Sequence, residues 1–273
     1  MRIALLVSVL IGSVFCLNSW AADGSSPEWD KRLTLRGGAI SYSASGDFSS
    51  TRDGREKVTL DLDDLGLDED ELSYFLGANL RLGDRWRLRF DYFRYHDDSK
   101  KTNKEFVEFD DLIVPPGGRI DSKLDLDLYV VNLSYDLYKS ERAAFGIGIG
   151  AHVADFELKV SGKHTVDDEE VNLGSGSADI TAPLPNLYVS GIYAFRDNVI
   201  FRYGGGWMSM DYDDYDGELI FANGALEYWP HKNVGFGAGY SYISADIDYD
   251  NGNKKENYDI DLPGPLAYIT VGF

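Results

Sequence analysis

The chain has 273 residues, of which 26 are basic and 46 are acidic, so its formal net charge is −20 at pH 7. This charge excludes nucleic acid as a partner, because affinity for the phosphate backbone comes mainly from Lys and Arg. The single cysteine, Cys16, excludes a disulfide within the chain.

The first 21 residues are typical of a secretory signal peptide. Arg2 supplies the charged start, Ile3 to Leu17 the apolar segment, and Ser19-Trp20-Ala21 the cleavage site. The apolar segment is shorter than the roughly 20 residues that cross a bilayer as a helix. We therefore expect a signal peptide at residues 1–21 and a single mature domain at 22–273, without lipid anchor or disulfide. Without Arg2, 25 basic residues face 46 acidic ones, a net charge of −21.

The mature chain contains segments in which apolar and polar residues alternate, as in the strands of a transmembrane β-barrel. In the segment 86–94, WRLRFDYFR, one face is aromatic and aliphatic and the other carries charges. Such a segment fits between lipid on one side and a polar lumen on the other. The alternation predicts ten strands: Leu33 to Ser43, Leu72 to Leu82, Trp86 to Arg94, Leu124 to Tyr138, Phe145 to Val153, Leu187 to Phe195, Val199 to Met210, Glu218 to Trp229, Val234 to Ile243 and Leu266 to Phe273.

The connections between these segments alternate in length, which predicts the orientation of the barrel. The short ones are 83–85, 139–142, 196–198 and 230–233, and the long polar ones are 44–71, 97–123 and 161–182, with shorter ones at 211–217 and 248–261. Short connections are typical of the periplasmic side and long ones of the extracellular side. Eight or twelve strands remain open alternatives, since Lys57 to Asp63 also alternates and could form an additional hairpin arm.

The alternation changes faces towards the extracellular end of several strands. Leu124, Leu126 and Leu128 alternate with Asp125 and Asp127 on what would be the lumen side. The same inversion occurs in the segments 155–160 and 243–248. We interpret it as strands that continue above the outer leaflet, where outward residues become polar and inward ones apolar. This predicts an extended wall with an apolar core inside its upper part.

The chain ends with apolar residues at every second position, Ile269, Val271 and the terminal aromatic Phe273. This ending resembles the C-terminal signal by which the outer-membrane assembly machinery recognises its substrates. We therefore expect the assembly machinery to bind through Phe273, and the location to be the cell outer membrane.

Several segments are similar to a family of outer-membrane β-barrel proteins that is widespread in Gram-negative bacteria and largely uncharacterised. They are DLDDLGL at 61–67, RWRLRFDYFRY at 85–95, GIGIGAHVADF at 146–156, APLPNL at 182–187, VGFGAGYSY at 234–242 and the ending 264–273. The resemblance implies the barrel fold and the location, and it implies no activity or functional residue.

Candidate catalytic residues are few. His96 with Asp97 and Asp98 lies where the third strand meets its loop, and His164 lies in another loop with Asp167 and Asp168. The Asp-x-His element used by the omptin proteases, which are also ten-stranded barrels, does not occur in this sequence. A His beside Asp in an acidic loop is more often a solvated pair, so we expect no enzymatic activity.

Acidic segments suggest divalent cations as further partners, because calcium prefers clusters of oxygen ligands. Asp246-x-Asp248-x-Asp250 resembles the start of a calcium loop, but Gly252 stands at position seven instead of six and Asn257 at position twelve. A second acidic stretch precedes Gly217 and contains Asp211, Asp213, Asp214 and Asp216. Solvated charge, or weak bridging by divalent ions to lipopolysaccharide phosphates, is the expectation, with no resident metal or cofactor.

The inward residues predict two opposite states of the lumen. Charged residues could pair across the barrel and plug it: Arg81, Arg87, Arg89, Asp91, Arg202 and Glu227. Glycines at 146, 148, 150, 235, 237 and 239 could instead leave a narrow path. The sequence therefore predicts an all-β, monomeric outer-membrane barrel with acidic extracellular loops, in contact with lipid and lipopolysaccharide. We expect a structural or surface-binding role, with a narrow channel as the alternative and a rim-located hydrolase as a third hypothesis.

Overall fold

The computed structural model describes residues 30–52, 58–65, 67, 70–103, 107–109, 112–166, 169–212, 215–250, 252 and 254–273. The predicted signal peptide lies outside these residues. Within them, no helix is long and apolar enough to cross a membrane.

Ten long antiparallel strands form the wall of a closed barrel. They are β1 Leu33–Ser43, β4 Asp70–Leu82, β5 Trp86–Thr102, β8 Arg119–Lys139, β9 Ala143–Val166, β10 Glu169–Arg196, β11 Val199–Tyr212, β12 Tyr215–His231, β13 Val234–Asp250 and β14 Lys254–Gly272. Each pairs with its neighbours in chain order, and β1 closes the ring by pairing with both β4 and β14. The predicted ten-stranded barrel is confirmed.

Four short elements lie at the extracellular end: β2 Ser45–Arg52, β3 Val58–Asp61, helix α1 Leu62–Leu65, and the hairpin of β6 Val107–Phe109 with β7 Leu112–Val114. β2 continues the chain of β1 and pairs with the upper part of β14 and with β3. The segment around residues 57–63, which the sequence left open as an additional hairpin arm, contains β3, which pairs with β2 beside the ten-stranded ring.

An apolar band surrounds the lower part of the barrel. Its outward side chains are 36 to 68% exposed and include Leu76, Ile149, Leu187, Leu226 and Ile269. Aromatic residues border the band on both sides. Trp86, Tyr138, Phe195, Tyr228 and Phe273 lie near the periplasmic turns, and Tyr74, Trp207, Tyr240 and Tyr242 lie towards the other end. This arrangement is that of a barrel in lipid, where Trp and Tyr prefer the two interfaces.

Above this band the strands continue, so much of what the sequence presented as long loops is strand. β5 continues through 95–102, and the β9–β10 hairpin reaches Val166 and Glu169. The polarity of these segments is explained by their position, because their outer face meets water. The prediction of a wall extending above the outer leaflet is confirmed.

The upper part of the barrel encloses an apolar core. Leu124, Phe156, Leu158 and Val160 from one side pack in one cluster with Phe48, Tyr258 and Leu262 from the other. Leu62, Leu65 and Leu67 in and after α1, with Leu112 and Val114 of β7, belong to the same cluster and are at most 5% exposed. Burial of these side chains stabilises the part of the wall that lipid does not support. The inverted alternation of the sequence is therefore explained.

Candidate functional site

The periplasmic end of the lumen is closed by ion pairs around Asp30, which precedes β1. Its carboxylate lies 3.0 Å from Arg87 and 2.6 Å from Lys139. Arg87 also contacts Asp136 at 2.8 Å. All four residues are largely withdrawn from solvent. Arg87 was predicted from the alternation as an inward charge, whereas Asp30 was not predicted, because it precedes the first strand and no alternation marks it.

A second set of pairs crosses the middle of the lumen. Asp91 accepts hydrogen bonds from Arg36, at 3.0 Å, and from Arg89. Glu227, which is fully buried, accepts from Arg202 at 2.8 Å, from Trp229 at 3.0 Å and from Tyr268 at 2.9 Å. Buried carboxylates are tolerated only when paired and hydrogen-bonded in this way.

Three of the six glycines predicted to line a narrow path face neighbouring side chains instead. A methyl group added at Gly150 would lie 1.9 Å from the side-chain oxygen of Asn132. At Gly237 it would lie 2.2 Å from the ring of Tyr268, and at Gly235 2.8 Å from the indole of Trp229. These glycines make room for larger luminal side chains, so the space they leave is filled.

Two cavities remain in the lumen between the ion pairs and the apolar core. The larger, with a volume of about 70 Å³, is lined by Arg36, Arg87, Arg202 and Tyr268, among others. The smaller, with a volume of about 20 Å³, lies between apolar side chains and Asn132, His152 and Asn223. Arg89 and Asp91 line both, so the cavities adjoin at this ion pair.

The outer face of β5, β8 and β9 above the apolar band carries charges of both signs, and we call it the mixed-charge wall. His96 lies here with its Nδ1 2.6 Å from Asp125 and its Nε2 3.7 Å from Asp98. Burial raises the pKa of Asp125, but hydrogen bonds from Lys123 and His96 outweigh it and hold that pKa below its usual value. The predicted partner Asp97 points inward and is 4% exposed. The dyad is therefore His96–Asp125, which depends on strand register.

The outer face of β3, β2, β14, β13 and β12 is acidic. Five carboxylates stand in direct register across these strands, Asp61, Asp47, Asp259, Asp246 and Glu218, and we call them the acidic wall. Opposed residues of neighbouring strands have Cα atoms about 4.5–5.5 Å apart, so the like charges repel. The pKa of Asp259 is raised by partial burial and then by the charges of Asp246, Asp261 and Asp47.

The segment that resembled a calcium loop is part of strand β13. Asp246 and Asp250 stand four residues apart along the strand, about 13 Å, so the three carboxylates do not surround one ion. Asp250 accepts a hydrogen bond from the Gly252 amide at 2.9 Å and pairs with Lys255 at 2.6 Å. Among the described residues no group of three His, Cys, Asp or Glu is placed to hold a metal ion.

The structure describes only some of the other residues predicted as catalytic or metal-binding candidates. His164 lies in the upper part of β9, half-buried and directly opposite Val171 of β10. Its predicted partners Asp167 and Asp168 lie outside the described residues, as do Asp213 and Asp214 of the second acidic stretch. Asp216 is exposed and stands opposite Asp248.

Comparison with solved structures shows which known proteins have a similar architecture. The outer-membrane protease OmpT from Escherichia coli superposes with a TM-score of 0.56 over 88% of this chain and 97% of its own, at 9% sequence identity. This chain has the outer-membrane β-barrel fold. The toluene transporter TodX of Pseudomonas putida (TM-score 0.33, 9% identity, 91% and 93% coverage) and Neisserial surface protein A (0.31, 12%, 88% and 97%) also match, but too loosely to support an argument. No family model and no curated protein matches the sequence.

The predicted fold and outer-membrane location of the barrel are thus confirmed, and one expectation is corrected. The expectation that the chain is not an enzyme is contradicted by the similarity to OmpT, a protease. The absence of an Asp-x-His element was the wrong criterion, because a motif in one strand says nothing about residues that adjacent strands bring together. At 9% identity the match establishes the shared fold and transfers no catalytic residue.

Proposed function

We propose that this barrel acts through its outer surface above the membrane and does not conduct solutes along its axis. The proposal rests on the closure of the lumen at two levels, its periplasmic end and its extracellular part. Ion pairs around Asp30 and Asp136 occupy the periplasmic end, and the apolar core with Leu158 and Val160 fills the extracellular part. Ions would have to cross both.

Planar-bilayer recording of the refolded protein tests this proposal, after heat-modifiable migration on a gel has verified folding. We expect a silent membrane. Stable conductance steps from properly folded protein would overturn the proposal and favour the narrow-channel alternative.

The charge of the outer surface favours cationic partners. In support, Asp246 of the acidic wall follows Tyr242, an outward aromatic residue at the upper border of the apolar band, by four residues along β13. Divalent ions bound to lipopolysaccharide phosphates would relieve the repulsion between these carboxylates. We expect Mg²⁺ to raise the melting temperature of the barrel in lipopolysaccharide vesicles. The double variant Asp246→Asn, Asp259→Asn should lose this increase, and the control Asp155→Asn, Glu157→Gln on the mixed-charge wall should keep it.

A second function, hydrolysis at the extracellular surface, is favoured by the His96–Asp125 dyad. A carboxylate 2.6 Å from Nδ1 orients the imidazole, as in sites where a histidine acts as general base. The substrate would be a peptide or a lipid headgroup that reaches the mixed-charge wall. If the dyad is catalytic, His96→Ala abolishes hydrolysis and His231→Ala, in a periplasmic turn, does not. Equal activity of both variants would exclude this role.

We also infer that residues 1–21 are removed on export, that residues 22–273 form one monomeric barrel, and that Phe273 contacts the assembly machinery. Supporting this, Phe273 lies at the barrel seam, where its amide donates to Leu33 at 2.8 Å, while its side chain is 54% exposed. Amino-terminal sequencing of the protein extracted from outer membranes should begin at Ala22. Deletion of Phe273 should reduce the amount inserted.

A further inference from the structure

The wall of the barrel is interrupted between β10 and β11. Below Trp207 the two strands pair in register, from Leu187–Trp207 to Arg196–Val199. Above it, residues 169–186 of β10 pair with β9 only, and residues 208–212 of β11 pair with β12 only. Within the described residues, no pair joins the two strands above Trp207. We call this interruption the β10–β11 split.

Two prolines explain where the split begins. In β10 the amide of Ala194 donates a hydrogen bond to the carbonyl oxygen of Arg142 at 2.7 Å, on the β9 side. Successive amides of a strand point to opposite sides, so the amide positions of the odd-numbered residues point towards β11. Pro183 and Pro185 occupy two successive odd positions and have no N–H to donate. Their pairing with β9 is uninterrupted, opposite Val153 and Ala151. The prolines thus remove hydrogen-bond donors from the edge that faces β11 and leave the other edge intact.

A second Pro-x-Pro segment provides a comparison. Pro263 and Pro265 of β14 pair with β13, and the pairing of β14 with β1 and β2 is interrupted at residues 262–265. Here the strands remain in close contact. A methyl group on Gly264 would lie 2.3 Å from the carbonyl oxygen of Ser41. Backbone therefore fills this second interruption.

At the β10–β11 split, side chains provide the closure. Leu184 and Tyr188 of β10, Met208 of β11, and Leu219 and Phe221 of β12 form an apolar cluster, with each residue 3 to 7% exposed. The cluster adjoins the smaller luminal cavity, since Phe221 lines the cavity and Ile243 belongs to both. An apolar route thus leads from the split to the cavity.

The position of the split suggests what would use this route. It begins directly above Trp207, an outward residue that is 49% exposed and lies at the upper border of the apolar band. This is the height at which the acyl chains of the outer leaflet meet the headgroups. Leu187, the last β10 residue paired below the split, is 61% exposed on the lipid face. The surrounding lipid surface is thus continuous with the opening.

We propose that the β10–β11 split is a lateral port that admits an acyl chain of an outer-leaflet lipid to the apolar cluster and the cavity behind it. Two strands joined by side chains can separate without breaking backbone hydrogen bonds, because no backbone pair joins their described residues above Trp207. This inference does not depend on the proposed surface function, since the axial route stays closed.

Photo-crosslinking tests the port. The folded protein is reconstituted with a phospholipid that carries a diazirine in its acyl chain, irradiated, and mapped by mass spectrometry. We expect label on the inward residues Met208, Leu219 and Phe221, in addition to the lipid-facing residues. The double variant Leu184→Cys, Met208→Cys, joined by a short bis-maleimide, should lose the inward label. The matched control Val189→Cys, Gly205→Cys, which joins the same strands at a paired position below the split, should keep it.

Each contrary result is informative. Label confined to outward residues such as Leu187 and Ile220 in folded wild-type protein would overturn the proposal. Inward label that persists after the 184–208 cross-link would also overturn it, because the chain would then enter elsewhere. The mature sequence contributes no cysteine of its own, so only the introduced pairs react.

Discussion

At the scale of single residues, the lower lumen depends on carboxylates that are buried and paired. Glu227 has no exposed side-chain surface and accepts hydrogen bonds from three different strands. Removing one partner of such a group leaves part of its charge uncompensated in a medium of low polarity. The loss of folding free energy on substitution therefore comes mainly from the charged partner that stays buried with too few hydrogen bonds.

Arg202→Met should lower the free energy of unfolding by about 3–5 kcal/mol, the usual cost of breaking a buried ion pair. Denaturant titration of the protein folded in lipid vesicles measures this change. Arg85→Met, at an exposed turn position, is the control and should change stability much less. A similar loss in both variants would mean that the Arg202–Glu227 pair has no special role.

The acidic wall predicts an unusual pH dependence. Partial burial and the charge of Asp248 raise the pKa of Asp246, against a hydrogen bond from Asn257, and Glu218 and Asp216 raise it further. A carboxyl group whose pKa is higher in the folded than in the unfolded state binds more protons when folded. Its contribution to stability is therefore favourable at low pH and is lost as the pH rises through the raised pKa.

Asp246→Asn should consequently stabilise the barrel at pH 7 and have little effect near the ordinary carboxyl pKa of about 4. Thermal melting at both pH values and at low ionic strength tests this, because salt screens exposed charges. Asp155→Asn on the mixed-charge wall is the control. Equal effects of Asp246→Asn at the two pH values would contradict the repulsion argument.

At the scale of elements, the strands have two sections with opposite polarity. In β9 the outward residue Ile149 is 65% exposed, whereas higher in the same strand the inward residues Leu158 and Val160 are 1% exposed. The alternation of the sequence predicted both sections. The alternation underestimated the length of the strands. Above the membrane the outward residues are charged, and such a strand segment resembles a polar loop in the sequence.

Leu158→Ala should loosen the upper section without unfolding the membrane section. Truncating a buried leucine costs about 2–5 kcal/mol, and this residue belongs to the apolar cluster together with Phe156 and Val160 of the upper wall. Limited proteolysis should cut the extracellular hairpins faster, while heat-modifiable migration is retained. Ile149→Ala, on the lipid face of the same strand, is the control. Loss of heat-modifiability in Leu158→Ala would show that the two sections fold as one unit.

At the scale of the whole molecule, the membrane position follows from the apolar band. An arginine on the lipid face near the bilayer midplane costs about 2–4 kcal/mol, and the cost falls towards the interfaces. Ile149→Arg should therefore reduce insertion into vesicles or outer membranes. Asp155→Arg, on the outer face of the same strand above the band, should insert normally. Equal insertion of the two variants would place the membrane elsewhere on the barrel.

The sequence by itself predicted about ten strands, with eight or twelve as alternatives, and it determined the faces of the strands and the change of polarity along them. These properties follow from the period of two within one strand, which is local. Only the tertiary structure decided that Asp30 reaches Arg87, that His96 meets Asp125 instead of Asp97, and that five carboxylates stand in one row. These contacts depend on the register between strands, which is set by ring closure, turns and bulges far along the chain. The split beside Pro183 and Pro185 combines both levels. The sequence shows that the two prolines lack backbone N–H donors. Only the neighbouring strands determine that the edge of β10 without these donors is the one facing β11.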